Sequence, residues 1–583
     1  MTLHWMAQAL PWPFFAHGTG DSEIIHLGRE PGSVMLSANQ VMLMDDNDVI
    51  VLGSIKVGTV DFLADAAPMS ALLASALAVS EAFASIEAPA DTAAIPDFFA
   101  SMHSAIHMVE TAMGSDGTVL TSATLVETTA TLTSTTTTVV GPAIEGIYVD
   151  GALTTTAPSL FDLLPHQLQE AVTEPEPSTG PVLTIDPNDV TMTVESGANM
   201  VVNEAIIVNA GLSATFMAVV GDYHSINVII QTNVYSDNDM IDTRLPGSAA
   251  NSADVTNALN VAVFASELRD NAAVMAEKHP GTMPLHWQVS VVEGDLVFLD
   301  WITQYSFTTD SDTHVLTAIG TTTTITSGEN LGLNSVSFEN LGHYYDLIIV
   351  GGSLYDGNFI IQTNVLYDND MLAMLSGAIE DGSVSTGGNL LWNSASILNI
   401  GAGNVSSGLP DAFSQAASLL GAGDYSMPDG VAQNGMFEGF AGLRVLYVAG
   451  NLYDLQSIQQ VNVMGDADLV ALYEDELLAD AASPDWSIST GSNALLNLAT
   501  IVDYDSVGSD VHVGGQIYSD AILIQADLMA GSDAAPVGDD ALVNEVIAFL
   551  DIDFVDPGPT EADHSIVPMS DGPSVDVMQS VLA

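Results

Sequence analysis

The stretch IIQTNVYSDNDM fills positions 229–240, and IIQTNVLYDNDM fills positions 360–371. A chain that writes one polar-tipped strand twice is constrained first by repetition, because repeated segments stack their hydrophobic faces on one another. A second element precedes the strand, G-x-N-x-x-x-N, at Gly197/Asn199/Asn203, Gly328/Asn330/Asn334, Gly387/Asn389/Asn393 and Gly491/Asn493/Asn497. Downstream lies a glycine two or three residues before a tyrosine: Gly221 with Tyr223, Gly352 with Tyr355, Gly450 with Tyr453, and Gly515 with Tyr518. Each copy then runs into IIQTNV, IIQTNV, IQQVNV or the more divergent LIQADL.

The basic period is about 60 residues, which at roughly 20 residues per turn reads as three stacked turns per unit. The segments NVIIQTNV, LIIVGGSLYDGNFIIQTNV and RVLYVAGNLYDLQSIQQVNV are β-branched or aromatic and are cut by Gly, Asn and Asp, so they predict strands. The expected fold is mainly β, a repeat β-solenoid resembling a parallel β-helix, with a small N-terminal helical block. Four degenerate units span 191–530, with insertions at about 242–312 and 402–440. Ahead of them lie a strand-rich segment (1–60), the helical block (61–115) and a Thr-rich β region with a Pro-punctuated linker (116–190). Residues 531–583 form a C-terminal helix and export segment. The stretch NQVMLMDDNDVI at 39–50 echoes the strand tip but lacks the rest of a unit.

At one corner of successive turns, Asn199, Asn203, Asn330, Asn334, Asn389, Asn393, Asn493 and Asn497 are expected to stack into a structural ladder. Asn tolerates positive φ, and its amide satisfies corner backbone groups. Substrate binding is the alternative role for these amides. The strand tips place Asp237 with Asp239, Asp368 with Asp370, and Asp466 with Asp468. Carboxylates two apart in a turn begin an oxygen cage for Ca²⁺, or else they form a solvated turn. TTDSDTH at 308–314 is a weaker instance. His103, His107 and Glu110 share a helical face, which offers Zn²⁺ ligands or an ordinary polar stripe.

Charge sets the partners. Six Lys and Arg stand against 74 Asp and Glu in 583 residues, a formal charge of -68. That field repels nucleic acid and anionic lipid, and self-association needs salt or divalent bridges. No apolar run reaches membrane-spanning length, and the first residues lack the basic and apolar regions of a Sec signal. With zero Cys there is no thiol chemistry, and no GxSxG, P-loop or HExxH occurs, so no enzyme is expected.

The Cys-free, Lys-poor acidic composition, the Gly/Asn/Asp-marked array and the ending DGPSVDVMQSVLA resemble the surface proteins that Gram-negative bacteria export by type I secretion, such as S-layer proteins and adhesins. Val575, Val577, Met578, Val581, Leu582 and Ala583 carry the likeness to the uncleaved C-terminal address of that class. The resemblance implies an extracellular or cell-surface structural protein that assembles with itself into a filament, matrix or surface layer. The alternatives are a calcium-dependent adhesin gripping cell-surface or matrix polysaccharide through its insertions, and a polysaccharide-acting β-helix enzyme.

Overall fold

In a computed structural model the described residues are 32–52, 66–79, 94–113, 120–121, 132–141, 144–165 and 168. From 191 to 530 all are described except 242–255, 268–280, 318–322, 329, 341, 377–381, 402–404, 474–484 and 505–509. The Pro-rich linker and the C-terminal residues 531–583, expected to hold a helix and an export signal, lie outside them.

The chain is mainly β, and its described residues build five sheets, parallel except where the strands between 120 and 154 join. The long sheet runs, in spatial order, Val34–Asp45, Leu296–Thr309, Leu452–Gly465, Leu354–Tyr367, Tyr223–Ser236, Ile517–Ala530, and then antiparallel Leu132–Val140 and Leu120–Thr121. The facing sheet runs Leu331–Asn340, Met200–Asn209, Ala494–Asp503, Leu390–Ile400, Asn257–Glu267, and ends in antiparallel Gly146–Val149 and Ala152–Thr154. A side sheet (from Trp287–Val292 to Val405–Ser407), a corner sheet (from Met240–Ile241 to Val49–Leu52) and a small sheet (from Thr323–Thr326 to Gly382–Ser385) join the two.

Each unit of the array gives at most one strand to the small, facing, side, long and corner sheets in that order, apart from a second side-sheet strand in the fourth unit. One unit therefore passes the sheets once, and the expected three stacked turns within 60 residues are not formed. The reason lies in strand length: five strands of 4, 10, 8, 14 and 6 residues, as in the unit from Thr323 to Ser376, use most of a unit in one pass. The pairing register matches the repeat alignment, with Ile229, Gln231 and Asn233 beside Ile360, Gln362 and Asn364. Residues 257–312, read from sequence as part of the insertion at about 242–312, contribute three strands of a fifth unit, and Thr313–Thr317 adds the fourth. Val34–Asp45 also joins the long sheet, so the echo at 39–50 is a true strand of the stack.

Spatial neighbours are mostly not neighbours in sequence. Numbering the units in chain order from 191, the long sheet stacks them 2, 4, 3, 1, 5, whereas the facing sheet stacks them 3, 1, 5, 4, 2. The chain climbs as it passes from facing sheet to long sheet. Between Asn257–Glu267 and Trp287–Val292, and again between Val405–Ser407 and Leu443–Val448, it returns to the opposite end of the stack. The second expected insertion is this return. Its helix Asp411–Gly421 packs Phe413 and Leu420 onto the side sheet, with the Phe413 ring stacked 4.3 Å from Phe216.

Both faces of the long sheet are covered. Ile229, Ile302, Ile360, Ile458 and Leu523 meet Ile207, Ile397 and Ile501 of the facing sheet. On the outer face, helix Ala66–Val79 covers Val234, Val365 and Val463, and helix Ile95–Met113 covers Ile226, Val228 and Phe359. Among the described residues, no helix is long and apolar enough to cross a membrane.

Candidate functional site

The second Asn of each G-x-N-x-x-x-N element lies buried between the long and facing sheets. Asn334 donates to Asn203, Asn203 to Asn497, Asn497 to Asn393, and Asn393 to Asn260, at 2.9–3.0 Å. A parallel column on the long sheet runs from Asn462 to Asn364 to Asn233. The two interlock, since Asn497 also donates to Asn364, and Asn393 to Asn233. Both columns point the same way and end on one carboxylate, Asp527, which accepts from Asn233 and from Asn260 at 2.9 Å. An anion is well placed as the last acceptor of aligned amides. Burial, then the charge of Asp150, raises Asp527 to about 7.

Two residues earlier on the long strands, a Gln column runs the other way, Gln525 to Gln231 to Gln362 to Gln460 to Gln304 to Gln40, at 2.7–2.9 Å. Its signal is present in the repeated IIQTNV, but sequence reasoning alone does not mark these residues.

The first Asn of each element stacks at the next corner. Asn330 N–H donates to Asn199 Oδ1, Asn199 N–H to Asn493 Oδ1, and Asn493 N–H to Asn389 Oδ1, at 2.9–3.1 Å. All eight expected Asn residues thus fall into two ladders. The side chains of Asn389 and Asn493 also donate to Asp368 Oδ2 at 2.6 Å and to Asp466 Oδ2 at 2.5 Å. The two repeated motifs meet in space.

The Asp tips form the least ordinary part of the molecule. In the outer column, Asp239 Oδ1 accepts from Asp370 N–H, Asp370 from Asp468 N–H, Asp468 from Asp312 N–H, and Asp312 from Asp48 N–H, at 2.7–3.0 Å. Thr386, Thr490 and Ser196 hydroxyls cap the second oxygens of Asp239, Asp370 and Asp312. The inner column is Asp237, Asp368, Asp466 and Asp310, of which the last three are fully buried. The solvated-turn reading is therefore overturned for the tips at 310–312, 368–370 and 466–468, which are enclosed because strands from other units stack on both sides, whereas Asp237 and Asp239, at the edge of the corner sheet, are half-buried. Asp310, Asp312 and Asp48 complete the columns, and only TTDSDTH and the echo at 39–50 hint at them in the sequence.

Some of these carboxylates are incompletely bonded. Asp368 Oδ1, Asp466 Oδ1, Asp468 Oδ2 and both oxygens of Asp310 are buried with no hydrogen-bond partner. Burial first, then neighbouring carboxylates, pushes Asp368, Asp370, Asp466 and Asp468 well above the usual carboxylate range, and pushes Asp239 and Asp310 to about 7. The nearest base is His314, buried with Nε2 3.7 Å from Asp312. Such a corner holds protons or a cation, because stacked unpaired carboxylates cannot all stay charged in a low dielectric. Its donors are hard oxygens, the chemistry that suits Ca²⁺. The six expected Asp ligands all lie in these columns.

His103 sits on the inner face of its helix, with Nε2 2.9 Å from His224 Nδ1. His224 belongs to an aromatic stack with Tyr453, Tyr355 and Tyr518, ring centroids 4.7–4.9 Å apart. Burial, then the neighbouring His103, lowers His224 to about 4. The structure joins His103 to a docking contact between helix and sheet.

Compared with known proteins, the chain matches no family model, no curated protein and no solved structure.

Proposed function

We propose that the chain is a secreted, non-catalytic structural protein whose five sheets are the faces of a β-solenoid, and that it assembles with itself outside the cell into a filament, matrix or surface layer. One observation carries this reading. The repeated Asn, Gln and Asp residues, where a ligand-binding or catalytic set would be sought, are engaged with the equivalent residues of neighbouring units. Side chains enclosed in such ladders hold a scaffold together. Export by the type I route, as the C-terminal likeness implies, belongs to the same proposal.

Ca²⁺ is the proposed resident ion. Asp310, Asp466 and Asp368 would hold it in neighbouring pairs, since their unpartnered oxygens stand on successive strands of the corner sheet, and Asp237, Asp239, Asp370 and Asp468 line the same corner. The ion would supply positive charge at a corner where, among the described residues, no Lys or Arg stands. It would also lessen repulsion between units within one molecule and between copies.

Negative-stain imaging of the purified chain at about 0.15 M NaCl, with Ca²⁺ or with chelator, tests the proposal. Ordered fibres or sheets in Ca²⁺ are expected, and dispersed single particles under every condition would contradict it. Replacing the six Asp by Asn should abolish the chelator effect and leave the strand content unchanged.

A further inference from the structure

The two ends of the stack differ. One is closed by antiparallel strands whose last members are short: Leu120–Thr121 on the long sheet and Ala152–Thr154 on the facing sheet. Short edges of this kind discourage pairing. Among the described residues the other end is left open by two long strands, Val34–Asp45 of 12 residues and Leu331–Asn340 of 10. Neither carries Pro, Lys or Arg, and neither pairing contains a bulge, so the usual defences of an edge are missing.

This end is also apolar and poor in charge. Val41 (42% exposed), Leu43 (60%), Leu331 (55%) and Leu333 (47%) stand on its outer faces. The two strands hold one acid each, Asp45 and Glu339. In a chain of formal charge -68, it is a surface where a second copy meets little repulsion.

The shape is self-complementary. Leu331–Asn340 lies across from both Val34–Asp45 and Leu296–Thr309, so the long sheet reaches about half a strand spacing, ~2.4 Å, beyond the facing sheet. The sheets run in opposite directions: Ile458, Asn462 and Met464 meet Ile501, Asn497 and Leu495 in turn. At the open end, Gln40 donates to Ser335 O, and Met44 lies over Gly332. Leu43 and Leu333 therefore occupy the same level along the strands, on opposite outer faces.

We propose that two copies of this chain join open end to open end about a two-fold axis parallel to the strands. Val34–Asp45 of each then extends the facing sheet of the other, antiparallel to Leu331–Asn340 of the partner. The half-step offset makes both pairings form at one normal strand spacing. Leu43 of one copy comes beside Leu333 of the other on the same outer face. This rests on the self-assembly reading and names its first contact; the closed pair is the unit from which larger arrays grow through other surfaces.

Because the chain contains no Cys, engineered thiols report the contact cleanly. The double variant Leu43→Cys/Leu333→Cys, mildly oxidised in about 0.15 M NaCl with Ca²⁺, is expected to give a covalent dimer, and either single variant none. Within one chain the two thiols lie on opposite faces and cannot meet. Light scattering in chelator, where larger arrays are not expected, should show a dimer for the native chain and a monomer for Leu333→Glu, at unchanged strand content because the site is exposed in the single copy. Crosslinking of Leu43→Cys alone would overturn the arrangement. So would a native monomer at tens of micromolar, or a monomer that dimerises only when residues 1–31 are deleted, since that segment would then be the occupant. A dimer that forms no fibres would sink the polymer proposal and leave this one standing.

Discussion

Asn497→Asp changes one buried amide nitrogen to oxygen and almost nothing else in shape. Asn497 Nδ2 donates to Thr363 O, Asn364 Oδ1 and Asn393 Oδ1 at 2.9–3.0 Å, while its Oδ1 accepts from Asn203 and Asn462 at 3.0 Å. The substitution leaves the accepting side intact and sets an acceptor against three acceptors. Two N–H groups are lost at about 1 kcal/mol each, and an unpaired buried carboxylate adds a few more, so about 3–5 kcal/mol is expected at pH 8. For an array of about 340 residues that is a fall of roughly 4–7 °C in the thermal midpoint. The new carboxyl has a folded pKa above its unfolded one. Its neutral form, which can donate one bond, is favoured at low pH, so the deficit should shrink at pH 5. Circular dichroism melts of both chains at pH 5 and pH 8 read this directly. An unchanged midpoint at pH 8, or a larger deficit at pH 5, would refute the interlocked amide columns. Asp527 shows why the last position of the column tolerates what the middle should not: it receives only donors.

Three further outcomes are expected. Gly352→Ala drives a methyl to 2.7 Å from Gly450 O, so the variant should lose about 2 kcal/mol or more, while Gly435→Ala, with open space around it, should melt like the native chain. Asp239 and Asp310, raised to about 7, favour the fold fully below the ordinary carboxylate range and lose that contribution as pH rises through 7. Calorimetry should therefore find the chelated protein weakening from pH 5 to pH 8, with Ca²⁺ restoring it chiefly at the upper end. His224, lowered to about 4, acts oppositely: its contribution is present above the ordinary histidine range near 6.5 and is lost on acidification toward 4. Proteolysis of helix Ile95–Met113 should accelerate over that window in the native chain and not in His224→Phe.

The repeat alignment is readable because parallel pairing keeps register. Residues that recur in sequence, such as Gln231, Gln362 and Gln460, become neighbours in a column. The unit at 257–317 is hidden in the sequence because it departs at the marked places. Ser306 stands where three other units have Asn and the last has Asp527, and Leu296 and Val297 follow Gly294 where a tyrosine would be sought. The stacking order is unreadable for a related reason. Near-identical ladders accept a neighbouring unit from anywhere in the chain, and the choice rests with the connections at 268–286 and 408–442. The burial of the Asp tips is equally hidden, because an Asp-Asn-Asp turn signals only local backbone, whereas Asn389 and Thr490, which bond Asp368 and Asp370, come from elsewhere in the chain.

The account stands on units interleaved in space and locked by these columns. Ser225 and Ser519 are register partners on adjacent strands although 294 residues apart, the same separation that Gln231 and Gln525 bridge. In a stack following chain order they would be four strands apart. The most direct measurement is oxidation of the double variant Ser225→Cys/Ser519→Cys in the folded, otherwise Cys-free protein, followed by mass spectrometry of the digest. An intramolecular Ser225–Ser519 disulfide link in nearly every molecule is expected. Two free thiols after oxidation, in a chain with native strand content, would contradict the interleaved architecture.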